Sequence, residues 1–196
     1  MPHCLRHCVD LTILPLMHPK TSTNTANQSN AKKPSQRLTV RFLFSHPAHI
    51  LSLGLGSGLS PIMPGTLGTL LGWVSFVALD QYLTPGHWLA LICLGFLIGI
   101  PACAYTAKAL NMSDPSAVNW DEMVAFWLVL LFITPASFGV QLAAFLIFRF
   151  FDMVKPPPIR YFDQRVKGGF GIMLDDIIAA LCTLLTFAIW ARLTSF

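Results

Sequence analysis

Two doubled acidic pairs stand at the head of apolar runs: Asp121-Glu122 in "NWDEMVAFW" and Asp175-Asp176 in "MLDDIIAAL". Burying an ionised carboxylate unpaired costs several kcal/mol, so each pair is expected at a water interface or around a bound cation. Helix capping is one reading, because carboxylates at a helix N-terminus accept backbone N–H bonds and suit the macrodipole. A cap needs a single oxygen, however, and neighbouring like charges repel unless a cation lies between them. Clustered carboxylates are what a hard, octahedral ion such as Mg²⁺ prefers. For either pair alone both readings stand; two doubled pairs together favour the cation.

A third element, "FRFFDMVKPPPIRYFD", sets Arg149 and Asp152 three apart on one helix face, with Lys155 one turn later. It reads as a local ion-pair ladder ended by Pro156–Pro158. It also reads as Asp152 ligating a metal while Arg149 and Lys155 meet phosphate oxygens, for which a planar fork and a point charge are both suited. Anionic lipid headgroups fit the same basic residues. Arg160 is a further phosphate candidate, and Asp163 reads as a solvated loop residue. In "GSGLSPIMPGT" the backbone N–H groups and the hydroxyls of Ser57, Ser60 and Thr66 could meet a phosphate at a helix start. Gly56–Gly65 is therefore expected to be a functional loop, whereas Gly68 and Gly72 are expected to let helices pack closely. In "KGGFGIMLDD", Gly168, Gly169 and Gly171 would let the backbone turn tightly and approach a ligand.

The elements that must carry these groups are membrane helices. Of 196 residues 54% are hydrophobic and 11% charged, against about 25% charged in an ordinary soluble domain. The net charge of +4, scattered singly or in twos, argues against a nucleic-acid partner. Residues 1–37 read as a disordered tail, since "HPKTSTNTANQSNAKKPSQR" is polar and lacks periodicity. Its Cys4 and Cys8, near His3 and His7, have no metal-site spacing, and Met17 is a candidate later start. Residues 38–50 read as an interfacial segment with Arg41 at the headgroups. A bilayer core needs roughly 20 apolar residues as helix. Runs at 66–83, 88–107 (with a kink at Pro101) and 177–193 approach or meet this. The run 123–151 is too long for one span and reads as two short helices about a turn at 134–139. The expectation is an all-α, multi-pass membrane domain over 38–196 with about five embedded helices.

Lys155, Arg160, Arg165 and Lys167 fall between Asp152 and Asp175, Lys108 lies in the other polar loop, and Lys32, Lys33, Arg37 and Arg41 lie in the N-terminal arm. The turns 80–87 and 134–139 carry no Lys or Arg. The positive-inside rule puts the N-terminus and both polar loops in the cytoplasm, with Arg192 the dissenter. Of nine acidic residues in the chain, Asp121, Glu122, Asp152, Asp163, Asp175 and Asp176 are among those that fall on that face, which no topology rule demands. Absences narrow the chemistry. No cysteine is followed six positions later by arginine, no D-x-D-x-T and no P-loop occurs, and no histidine follows His87. For a phosphatase this leaves metal-assisted attack by water.

Together "GSGLSPIMPGTLGT", "WDEMVAFW", "FRFFDMVKPPPIR" and "GGFGIMLDDIIAA" resemble the phosphatidylglycerophosphatase A family, in its order and spacing, from Leu51 to Ala180. The resemblance implies an all-helical, Mg²⁺-dependent lipid phosphatase of the bacterial inner membrane that converts phosphatidylglycerophosphate to phosphatidylglycerol and phosphate. The family's acidic pair falls on Asp121 and Glu122, and its R-x-x-D-x-x-K-P motif on Arg149, Asp152, Lys155 and Pro156. Its glycine-led M-x-D-D motif falls on Gly171, Met173, Asp175 and Asp176. Pro157 stands where a bulky residue is usual, and Lys167 where histidine is common.

On this reading Asp175, Asp176, Glu122 and Asp152 hold one or two Mg²⁺, Asp121 ligates or supports, and one carboxylate takes a proton from water. Arg149, Lys155 and Arg160, with Ser57, Ser60 and Thr66, contact the phosphate, while acyl chains lie in an apolar cavity entered from the bilayer. Two other classes stay open: a cation-conducting or transport protein with an acidic cytoplasmic vestibule, and a lipid-binding scaffold that leaves the acidic pairs without a role.

Overall fold

The computed structural model describes residues 38–112, 115–157 and 159–194, apart from the side chains of residues 162–164 and 194. The tail, its cysteines, Met17 and the Asp163 side chain lie outside the described residues. Everything regular among the described residues is helical: α1 Val40–Leu43, α2 Pro47–Ser52, a 3₁₀ turn Gly54–Leu59, α3 Pro64–Asp80, α4 Pro85–Leu110, α5 Trp120–Ile133, α6 Phe138–Val154, α7 Ile159–Arg165 and α8 Gly168–Thr194.

The organising element is α5. Its sequence is apolar on every side from Met123 onward, and a helix hydrophobic all round must be enclosed. Asp121 to Trp127, Val129 and Leu130 are all buried, with α3, α4, α6 and α8 packed around them. Small residues admit the neighbours. A Cβ at Gly72 would sit 3.1 Å from Met123 Cα, and one at Gly68 would sit 2.7 Å from Asn119 Cβ, so both glycines serve packing as expected. Two indoles fasten α5 to its flanks: Trp127 Nε1 donates to Gly72 O at 2.9 Å, and Trp120 Nε1 donates to Gly95 O at 2.9 Å.

The apolar run at 123–151 is the expected hairpin, α5 and α6 joined by residues 134–137. α4 runs through Pro101 as one 26-residue helix, opened by a capping box between Thr84 and His87 and closed by Asn111 in the left-handed region. Only α4 and α8 among the described residues are long and apolar enough to cross a membrane. At 1.5 Å per residue, the 17, 14 and 17 residues of α3, α5 and α6 reach roughly 26, 21 and 26 Å, short of the ~30 Å core. Large apolar side chains stand exposed on the outer faces of the bundle, among them Val74, Leu97, Leu146, Leu185 and Trp190.

Short connections make successive helices antiparallel. α3, α5 and α8 therefore start, and α4 and α6 finish, at one end of the bundle. All the polar motifs are gathered there. At the opposite end Asp80 accepts a 3.1 Å bond from Trp88 Nε1, which ties the end of α3 to the start of α4.

Candidate active site

Each helix delivers its polar residues to this end in a different way. Asn119 is the N-cap residue of α5, which places Asp121 and Glu122 in the first turn where the helix dipole favours negative charge. α8 begins at Gly168, earlier than the apolar pattern suggests, so Asp175 and Asp176 lie about two turns inside it. At that depth the backbone N–H groups are already bonded within the helix, and capping is excluded for this pair. On α6, Arg149 and Asp152 share a face. The helix then stops at Lys155, whose φ of 45° is left-handed, and Pro156 follows.

These elements bring five carboxylates and two cations to one cavity of about 280 Å³, lined by Asp121, Glu122, Asp152, Asp175 and Asp176 with Arg149 and Lys155. Oxygens of Glu122, Asp152 and Asp176 lie within 4.8 Å of one another, close enough to share one cation. Arg149 bridges two of them, 3.1 Å from Glu122 and ion-paired to Asp152. The Lys155 ammonium pairs with Asp175. Asp121 Oδ1 and Asp176 Oδ2 are buried with no hydrogen-bond partner. Negative charge in excess of the protein's own cations, together with orphaned buried oxygens, is a donor set that fits a hard divalent ion.

Asp121 and Glu122 precede the apolar run, and burial dominates both. It raises Asp121 well above the usual carboxylate range, helped by the charges of Glu122, Asp175 and Asp152. Burial likewise raises Glu122 to about 8, although the Arg149 guanidinium pulls it back down. Proton and cation are therefore alternatives for the same buried negative charge.

Of the hydroxyls expected near a phosphate, only Thr66 lines the cavity, with its Oγ1 buried and without a hydrogen-bond partner. Ser57 accepts from Asn119 Nδ2 at 2.9 Å and donates to Gly54 O, and Ser60 donates to Ile62 O at 2.9 Å. Both hydroxyls hold the loop's own shape. Arg160 is exposed on α7 and does not line the cavity. Gly169 and Gly171 approach α4 and Val166 rather than the cavity, while Gly168, at φ 80°, makes the expected tight turn.

Two residues, Thr69 and Asn119, were not singled out in advance, and a third, Gly65, was expected only as the end of a functional loop. Thr69, one turn beyond Gly65, sets its Oγ1 3.2 Å from Glu122 Oε2 and 3.4 Å from Arg149 Nη1. Asn119 is fully buried and bonds Ser57 and the Pro64 carbonyl, so the glycine loop is wrapped around it. Gly65 faces the Glu122 carboxylate so closely that a Cβ would collide with it. An Asn two residues before an acidic pair was the available signal for the second; nothing local marks Thr69.

The phosphatidylglycerophosphatase A family matches residues 50–191, which include every side chain of the cavity. The chain belongs to this family. It is 42% identical over 141 residues to phosphatidylglycerophosphatase A of Escherichia coli, covering 72% of this chain and 81% of that one. It is 43% identical over 145 residues to the phosphatidylglycerophosphatase A of Haemophilus influenzae, covering 74% and 89%. A Bacteroides thetaiotaomicron relative, provisionally named a phosphatidylinositol-3-phosphatase, is 37% identical over 147 residues, covering 71% and 91%. No solved structure matches the chain.

Proposed function

We propose that the protein is a lipid phosphatase that hydrolyses phosphatidylglycerophosphate to phosphatidylglycerol and phosphate at the cytoplasmic face of a bacterial inner membrane. One observation carries this reading within the family: Glu122, Asp152 and Asp176 converge in a cavity that also presents Arg149 and Lys155. The catalytic unit is the membrane-embedded domain 38–196, with 1–37 as an appended tail. α4 and α8 cross the bilayer, and α3, α5 and α6 complete a five-helix embedded set. The gathering of Lys108, Arg149, Lys155, Arg160, Arg165 and Lys167 at the polar end supports the cytoplasmic assignment.

Glu122, Asp152 and Asp176 would hold Mg²⁺, with Asp175 and Asp121 beside them. A bound Mg²⁺ would screen the phosphate's charge and polarise water and the P–O bonds near it. Arg149, whose Nε has no hydrogen-bond partner, and Lys155 neutralise phosphate oxygens. Thr66 Oγ1 orients the same group from the start of α3. Asp121, outside the triad and raised by burial, takes the proton of the attacking water at Oδ1. Cation conduction is not favoured, because the carboxylates of the cavity all lie at one end of the bundle and the family is one of phosphatases.

The experiment is phosphate release from phosphatidylglycerophosphate by the detergent-purified full chain. Release with Mg²⁺ that stops in excess EDTA and returns on readdition is the expected outcome. No release by a folded, monodisperse sample with Mg²⁺ present would sink the proposal.

A further inference from the structure

Below the acidic cavity α3 and α6 are joined by side chains. At the polar end Arg149 of α6 reaches Thr69 of α3. Deeper in, Trp73 of α3 stacks on Phe138 and Phe145 of α6 at 5.4 and 5.7 Å, and its Nε1 donates to Gln141 Oε1 at 2.7 Å. Outside this seam runs a groove of about 620 Å³ whose walls include Leu70, Val74 and Val77 of α3 and Phe138 of α6. Leu70, Val74, Val77 and Phe138 stand 41%, 59%, 55% and 71% exposed. The side-chain polar atoms of Trp73 and Gln141 are satisfied, Trp73 Nε1 by Gln141 Oε1 and Gln141 Nε2 by Ala136 O, so the wall is apolar to anything lying in it.

On α3 the groove begins one helical turn from the acidic cavity: Thr66, which lines the cavity, shares a face with Leu70, Val74 and Val77, which line the groove. On α6, Phe138 and Gln141 line the groove and Arg149 and Asp152 the cavity, with Phe145, stacked on Trp73, between them on the same face. From Thr66 to Val77 the helix rises about 16 Å, close to the ~15 Å depth of one leaflet of a 30 Å core. A second groove of about 270 Å³ lies between α6 and α8 near Ala143, Phe187 and Trp190.

We propose that the α3–α6 groove seats one acyl chain of the phospholipid whose phosphate occupies the acidic cavity, so that substrate enters sideways from one leaflet between these two helices. The proposal rests on the phosphatase reading of the cavity. It accounts for an apolar face that begins one helical turn from the phosphate site and runs about one leaflet deep, and it makes Trp73 and Gln141 the wall against which the chain lies.

The test compares kcat/KM of the full chain on dioleoyl and dihexanoyl phosphatidylglycerophosphate. Val74→Trp, which fills the groove, should lower the long-chain to short-chain ratio about tenfold, the scale set by small changes in an apolar pocket. Ala143→Trp, in the second groove, should leave the ratio unaltered. An unaltered ratio in Val74→Trp would overturn the acyl site while leaving the phosphatase intact. If the unsubstituted chain turns over neither lipid, the phosphatase reading fails instead. A second measurement then decides the groove: phosphatidate carrying a mid-chain diazirine, crosslinked in nanodiscs, should concentrate on 70–77 and 138–141. A matching diacylglycerol probe, lacking the phosphate, should not. Crosslinks spread evenly over the outer faces of α3, α4, α6 and α8 would overturn the site.

Discussion

The two acidic pairs look alike as sequence and differ in what holds them. Asp121 and Glu122 sit in the first turn of α5, where the unpaired N–H groups and the dipole offset part of the cost of burying charge. Asp175 and Asp176 sit about two turns inside α8, where the backbone offers them nothing. Compensation there comes from across the fold: Lys155, delivered by the end of α6, pairs with Asp175, and one oxygen of Asp176 has no hydrogen-bond partner. One pair therefore sits where a helix welcomes negative charge, and the other where only a tertiary partner or a ligand could justify it. A mid-helix acidic pair facing other carboxylates is the stronger indication of chemistry.

The largest effect that sharpens this contrast is in turnover and melting together. Asp176→Asn should lower phosphate release roughly a thousandfold, the scale of losing one group that stabilises transition-state charge. Its metal-free melting temperature should hold or rise, because a buried, unsupported anion has been removed. Asp121→Asn should also slow release, but its melting temperature should rise less, because the helix N-terminus already offsets about 0.3–1 kcal/mol of the cost of that buried carboxylate. Melting shifts of equal size in both variants would erase the distinction.

A smaller effect separates the walls of the site from its ligands. Gly65→Ala adds a methyl against the Glu122 carboxylate and should cost roughly 10- to 100-fold in metal affinity, as loss of ligand support does elsewhere. Gly72→Ala, also on α3 but facing the Met123 backbone of α5, should change stability while leaving the metal titration of release unaltered. Equal metal titrations for Gly65→Ala and the unsubstituted chain would show that Glu122 is not held from this side.

The smallest effect is in pH. Burial raises Glu122 from 4.5 to about 8 in the folded protein, so the folded state holds this proton more tightly than the unfolded one. That contribution is complete below pH 4.5 and fades as pH rises through about 8. The metal-free protein should accordingly lose stability across this window, and Glu122→Gln should flatten the slope. Thermal melts at intervals from pH 5 to 9 measure it; identical slopes for the two proteins would assign the pH response to other groups.

Much of the site was legible because its signals are local. Arg149 and Asp152 share a helix face by spacing alone, and a turn-rich break divides 123–151 into the hairpin that is observed. Less legible were the lengths of the helices and the partners of the loop hydroxyls. Glycine in "GSGLSPIMPGT" announces backbone freedom, but it does not say that the loop will close around Asn119 and so occupy Ser57 and Ser60. Thr69 carries no motif at all; it matters because α3 lies against α5 and under α6.

By itself the sequence determined that the chain is helical and membrane-suited, that its acidic residues are too few and too doubled to be casual, and that basic residues accompany them. These follow from composition, periodicity and spacing, which act within one helix. Only the tertiary structure decided that Glu122, Asp152 and Asp176 face one another, that Lys155 takes Asp175, and that α3 and α6 leave an apolar groove beneath them. Such outcomes depend on which helix faces meet, and that is set by the burial of α5 and the close approach its neighbouring glycines permit, a property of the whole bundle rather than of any one segment.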